Sequence, residues 1–117
     1  MVNKILLVFR GSPQEEEAAE GFRVATAMIA MDVLPQLLFV DDGVFWLVKK
    51  KPDQLENPSV KERLQTISDL VGFQVLSDSF AQRKLKSNDL DESLNAKVLS
   101  LDEAAELVAQ NDAVMAF

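Results

Sequence analysis

A chain of 117 residues, 48% of them hydrophobic, is long enough to close one continuous core without staples or metals, so one globular domain over 1–117 is expected. Cysteine and histidine are both absent, which excludes disulfides, thiolate metal sites, thiol nucleophiles and the usual general base near neutral pH. A formal net charge of −7 repels phosphate backbones and anionic lipid, and direct nucleic-acid binding is not expected. The basic spots to weigh against that are Lys49-Lys50-Lys51 and Arg83-Lys84 with Lys86.

The N-terminus, MVNKILLVF, carries five apolar residues in a row from Ile5 and no small-residue cleavage site. That is too short for a secretory leader, and no later run is long enough to span a bilayer, so a cytoplasmic location is expected. Lys4 to Phe9 reads as a strand covered on both faces, being an almost unbroken apolar run. Ser12 then reads as a helix N-cap, with Pro13 in the first position and Glu15 completing a capping box. Phe22, Ala25, Met28, Ile29 and Val33 give that helix a buried stripe.

A second strand, Leu37 to Val40, follows the turn at Pro35, and Asp42-Gly43 is placed to cap a short helical segment through Val48. Lys51 to Pro58 is a loop. Asn57 caps a further helix with Pro58 in its first position and Val60, Leu64, Ile67, Leu70 and Val71 toward the core, closed by Gly72. Phe73 to Leu76 is a third strand, Ser77 to Lys86 a polar helical connection, and Asn88 to Asn95 an acidic stretch expected to be mobile. Lys97 to Leu99 is a fourth strand. Ser100 and Glu103 form a second capping box for a helix carrying Ala104, Ala105, Leu107 and Val108, and Ala113 to Phe117 is a fifth strand. Strands alternating with helices imply right-handed crossovers and a parallel sheet covered on both sides. The functional crevice of such a sheet lies beyond the carboxyl ends of its strands, which selects the segments after Phe9, Val40 and Leu76.

Arg10-Gly11-Ser12 is a strand-to-helix turn, but one glycine and four glutamates in the following helix argue against bound phosphate. Ordinary capping is the stronger reading there, with Arg10 pointing toward the crevice. Asp41 and Asp42 are paired carboxylates; on extended chain they face opposite ways, so one metal would not see both, and no metal site is expected. In Ser77-Asp78-Ser79 no histidine is available as a base, and helix capping by Ser77 or Ser79 is the simpler role. If a ligand binds, the candidate pocket is Arg10, Ser12, Asp41, Asp42, Ser77 and Asp78.

The segment after Asp42 raises a different question. Val44, Phe45, Trp46, Leu47 and Val48 are all apolar, and a turn and a half of helix can lay only one side on a sheet. The surplus is expected to form a subunit contact, with Phe45 and Trp46 at its centre. The alternative is that a loop such as Lys51 to Pro58 folds over it.

KILLVFRGSP at the start, LLFVDDGVFWLVKKKPD in the middle, VLSDSFAQRKL after the third strand and NDAVMAF at the end together resemble the DsrE/DsrF/DsrH sulfur-relay family. The middle block is closest to the DsrF/TusC branch. The resemblance covers essentially the whole chain and implies a three-layer α/β/α fold with a mostly parallel five-stranded sheet. It also implies assembly into dimers, trimers or hexamers, with itself or with related DsrE- and DsrH-like chains. In DsrE/TusD-type members a cysteine after the third strand carries persulfide sulfur toward tRNA thiolation or sulfur oxidation. Here that turn reads Val75-Leu76-Ser77-Asp78, and neither leucine nor serine can form a persulfide. The resemblance therefore implies a non-catalytic, oligomerising subunit without cofactor, not an enzyme, that scaffolds intracellular sulfur transfer. The alternative is a small-molecule-binding protein or weak hydrolase using Asp41, Asp42 and Ser77 in a pocket at subunit boundaries.

Overall fold

The apolar run after Lys4 becomes strand β1 (Ile5–Phe9), and its alternation decides the layering. Leu7 and Phe9 turn to one side and Leu6 and Val8 to the other. The structure, a computed structural model, describes residues 4–13, 15–49 and 58–117. Its further elements are α1 (Glu16–Ala30), β2 (Gln36–Phe39), a 3-10 segment (Asp41–Trp46), α2 (Pro58–Leu70), β3 (Phe73–Leu76), α3 (Asp78–Gln82), β4 (Lys97–Leu99), α4 (Leu101–Gln110) and β5 (Ala113–Ala116). The five strands form one sheet in the order β4-β3-β2-β1-β5, every neighbouring pair parallel. This is the α/β architecture expected from the alternation of strands and helices, with helices on both faces.

The two faces are covered unequally. On the first, Leu7, Phe9, Leu37, Phe39, Phe73 and Val75 meet Ala18, Phe22 and Ala25 of α1 and Leu64 and Ile67 of α2. Phenylalanine rings link the layers, Phe9 lying 4.5 Å from Phe22 and 5.1 Å from Phe39 between centroids. Gly21 lets α1 lie this close, since an added Cβ would meet the rings of Phe9 and Phe117. Each large side chain buried here contributes about 1.5–3 kcal/mol by leaving water. On the second face the core is smaller: Leu6, Leu38 and Leu99 with Ala104 of α4, flanked by half-buried Val8, Val40, Leu76 and Leu107. One helix cannot roof five strands, and the flanking side chains stay part-exposed for that reason.

Local chemistry departs from the sequence reading in several places. Helix α1 begins at Glu16 rather than just after Ser12, and no side chain caps it. The Arg10 and Gly11 amides both donate to the Phe117 carbonyl, which carries the extended chain past the end of β1. Ser12 and Glu15 then close a turn in which the Glu15 carboxylate accepts the Ser12 amide, so only half of the anticipated box exists. Beyond α1, Asp32 takes a left-handed φ of 62° and turns Val33 outward, so the stripe ends at Ile29.

In α2, Leu64 and Ile67 are buried, as is Val71 just past its end, whereas Leu70, off their row, is 51% exposed. Pro58 does open that helix, while Asn57, Val60 and the loop from Lys51 fall on positions outside the described residues or side chains. The stretch 88–95, expected to be mobile, is built into the core. Leu90 and Leu94 are buried there, and Leu90 bridges Val48 in antiparallel fashion. The Asp91 amide donates to the Leu47 carbonyl at 2.7 Å, tying the two segments together. Strands β3 and β4 and the Ser100–Glu103 capping box are as expected.

Candidate functional site

The segments beyond β1, β2 and β3 meet at the carboxyl end of the sheet, and their polar side chains take one another as partners. Asp41 adopts a left-handed conformation, φ 51°, which an aspartate tolerates better than most residues. That turn throws the chain from β2 into the 3-10 segment. The Asp41 carboxylate meets the Arg10 guanidinium at 3.6 Å, and its amide donates to Ser79 Oγ at 2.9 Å. Asp42 faces elsewhere: its carboxylate accepts Arg83 Nε at 2.9 Å. Arg83 also reaches the Ser79 carbonyl at 3.5 Å.

Two Arg–Asp pairs therefore lie on either side of one buried serine, and this places the ends of β1, β2 and α3 relative to each other. The pairs differ in setting. The Arg10 and Asp41 side chains are 67% and 47% exposed, while the Arg83 side chain is only 19% exposed and Asp42 is 53% exposed. The first is a loose, solvated contact and the second a partly sheltered one, in which loss of the carboxylate costs more.

Gly43 is required by close approach. Its amide donates to the Val40 carbonyl at 2.8 Å, and a Cβ at this position would collide with the Phe9 carbonyl oxygen. The Asp-Gly pair thus serves a chain crossing over the end of β1. It does not serve a helix cap, because Val40 precedes the 3-10 segment and no side chain caps it. The expected capping role of Asp42 is corrected accordingly.

Of the candidate pocket residues, Arg10 and Asp41 are brought together, and Asp42 lies next to them with a separate partner. Ser12 is occupied in its own turn with Glu15. The Ser77 hydroxyl approaches the Asp78 carboxylate at 3.5 Å, and the Ser77 amide donates to the Leu99 carbonyl. Neither Ser77 nor Ser79 caps α3 through its hydroxyl. The sequence reading missed Ser79 and Arg83 as the residues that organise the site. The signal for Ser79 was its place three residues beyond β3, where a small polar side chain can turn back beneath the end of β2. Among the described residues, no cluster of three or more carboxylates is placed to hold a metal ion.

The apolar segment after Asp42 is a clear correction. Val44 and Leu47 are fully buried and Trp46 is 9% exposed, all within the chain's own core. The 3-10 segment lies beneath the carboxyl end of the sheet against α1, with the Trp46 ring 4.6 Å from Phe22. Its indole N–H donates to the Gly11 carbonyl at 2.9 Å. The tighter 3-10 winding, together with the segment 88–95 on its far side, encloses more of these residues than one α-helical face would. Only Phe45 and Val48 remain half-buried. Val44, Trp46 and Leu47 are thus core residues and not a subunit contact.

Taken together, an all-parallel five-stranded sheet between helical layers, with paired charges at its strand ends, defines an α/β/α protein. The chain belongs to the DsrE/DsrF-like family, which matches it over residues 3–117. Its fold is shared with the YchN protein from E. coli: TM-score 0.73 at 22% identity, covering 98% of this chain and 99% of that one. It is shared also with MTH1491, a protein of unknown function from Methanobacterium thermoautotrophicum: TM-score 0.63 at 15% identity, covering 92% and 90%. No curated protein matches the sequence significantly. Among the described residues, no helix is long and apolar enough to cross a membrane.

Proposed function

We propose that this chain is a non-catalytic, oligomerising DsrE/DsrF-like subunit of the DsrF/TusC kind, which scaffolds intracellular sulfur transfer without carrying sulfur itself. The observation that carries the reading is chemical. The chain belongs to a family implicated in sulfur relay, yet it contains no cysteine, and its strand-end turn offers Ser77 where a persulfide would need a thiol. The crevice supports the same reading: Arg10 with Asp41 and Arg83 with Asp42 are engaged with each other, and the Ser79 hydroxyl is buried as an acceptor. A hydrolase would need a nucleophile within hydrogen-bond reach of a base, about 2.6–3.2 Å. The contact from Ser77 to Asp78, at 3.5 Å, is longer than that.

The test is transfer of labelled persulfide sulfur from a cysteine desulfurase, with and without a cysteine-bearing DsrE-type chain. The expected result is no label on this chain and a stable complex in which label reaches the partner's thiol faster. Failure to associate with itself or with such a chain would overturn the scaffold reading. Ester or phosphoester turnover that disappears in Ser77→Ala would install the hydrolase in its place.

A further inference from the structure

The two edges of the sheet are protected very differently. The β4 edge is three residues long and carries the exposed Lys97, the kind of short, charged edge that discourages further pairing. The other edge, β5, reads Ala-Val-Met-Ala without charge or proline. Among the described residues no strand lies outside it. Val114 is 44% exposed and Met115 36% exposed.

The ladder fixes which backbone groups of β5 are unused. The Ala113 amide donates to the Lys4 carbonyl, the Phe117 amide donates to the Val8 carbonyl, and the Arg10 amide donates to the Phe117 carbonyl. In a parallel pair alternate residues turn both backbone groups to the same neighbour, so Ala113, Met115 and Phe117 face β1. Val114 and Ala116 therefore aim their N–H and C=O groups away from the sheet. Two adjacent outward-facing residues, one on each side of Met115, make a self-complementary edge. Run antiparallel about a two-fold axis through Met115, Val114 of one copy lies opposite Ala116 of the other, and the four outward N–H groups find four carbonyls.

We propose that β5 is the surface on which a second copy of this chain docks, joining two sheets into one across antiparallel β5 strands. This deepens the oligomerisation part of the proposed function and rests on it. The occupant is an identical chain because the pairing is closed: each copy supplies the donors the other lacks, and a two-fold contact leaves no new edge at that side. Continuity with the second face adds apolar area, since Val108, 41% exposed, and the Leu107 flank belong to α4, the helix that leads into β5.

Proline at Val114 deletes an outward N–H while leaving the β1 ladder intact, whereas proline at Met115 deletes an inward one. Val114→Lys restores the charge that guards the opposite edge. The experiment is analytical ultracentrifugation of wild type, V114P, V114K and M115P, with amide hydrogen exchange of wild type at high and low concentration. Wild type should associate, with the Val114 and Ala116 amides protected only at high concentration. V114P and V114K should weaken association at least 100-fold with unchanged circular dichroism, while M115P should lose stability in the monomer. An oligomer that keeps its affinity in both Val114 variants, with those amides exchanging freely, overturns the edge assignment and leaves the oligomerising reading standing. A wild-type chain that stays monomeric at high concentration overturns both.

Discussion

The Trp46 indole donates to the Gly11 carbonyl 35 positions earlier in the chain, at 2.9 Å and out of contact with solvent. The bond joins the turn after β1 to the segment after β2 and closes the carboxyl end of the first-face core. It also decides what tryptophan substitutions will do. Trp46→Ser should unfold the chain, costing about 3–5 kcal/mol as for other large core truncations, instead of releasing soluble monomers. Trp46→Phe keeps most of the packing but leaves the Gly11 carbonyl without its donor, a loss of about 1–3 kcal/mol. Because Trp46 is the sole tryptophan, its fluorescence reads the same question: emission should be blue-shifted and unaffected by dilution. A red shift on dilution would place the ring at a subunit contact instead.

Gly43 should tolerate no side chain. Its Cβ would strike the Phe9 carbonyl oxygen, which is backbone inside the sheet and has little room to retreat. Gly43→Ala is expected to cost about 2–3 kcal/mol, at the upper end for overpacked sites, read as a lowered urea midpoint with an unchanged slope. A neutral result would mean that the crossing over β1 is looser than described.

What could be read from the sequence follows from where the information lies. The strands β3 and β4 and the box at Ser100 are local: apolar alternation, a serine and a glutamate three residues later specify them with no help from elsewhere. Ser12 and Glu15 present the same local pattern, but the distant Phe117 carbonyl captures the Arg10 and Gly11 amides, and no spacing rule reports a partner at the other end of the chain. Trp46 failed for a related reason. Five apolar residues in a row exceed one helical face, yet a 3-10 segment ending at Trp46 packs on α1 and the residues after it meet Leu90, which leaves only Phe45 and Val48 half-buried. The composition of 88–95 looked too polar for a core, and its two leucines were the signal that outweighed the charges. At the crevice Arg10, Asp41 and Asp42 were legible as strand-end residues. That Arg83 would select Asp42 and Ser79 would take the Asp41 amide depended on how far α3 turns back, which only the folded chain supplies.

The capping box at α4 carries a pH dependence. Glu103 is held below its ordinary value of 4.5, first by the Ser100 backbone hydrogen bond and then by the Ser100 hydroxyl. A carboxyl depressed in the folded state stabilises above its unfolded pKa and loses that contribution as pH falls through the lower folded value. The difference in urea midpoint between wild type and Glu103→Ala should therefore be constant from pH 7 down to about 5 and shrink below pH 4.5. Ser100→Ala removes the other half of the box and should cost about 1 kcal/mol at neutral pH. A difference that grew on acidification would contradict the box.

The Arg83–Asp42 pair separates a structural crevice from a binding one. The guanidinium is mostly sheltered while the carboxylate is half in water, so a double-mutant cycle with Arg83→Met and Asp42→Asn should give a coupling of about 0.5–1 kcal/mol, weakening as salt screens the exposed side. Arg83→Met should be the more harmful single change, because it also strips the contact to the Ser79 carbonyl and leaves α3 less well fixed against the 3-10 segment. If instead the pair were held apart for a ligand, both single variants would leave stability unchanged and the cycle would show no coupling. A thermal-shift screen with nucleotides, divalent cations and small acids would then give a stabilisation present in wild type and absent in both variants. Measurable coupling without any ligand-dependent shift assigns Arg83 and Asp42 to holding α3 against the 3-10 segment, the outcome that the proposed scaffold role predicts for this pair.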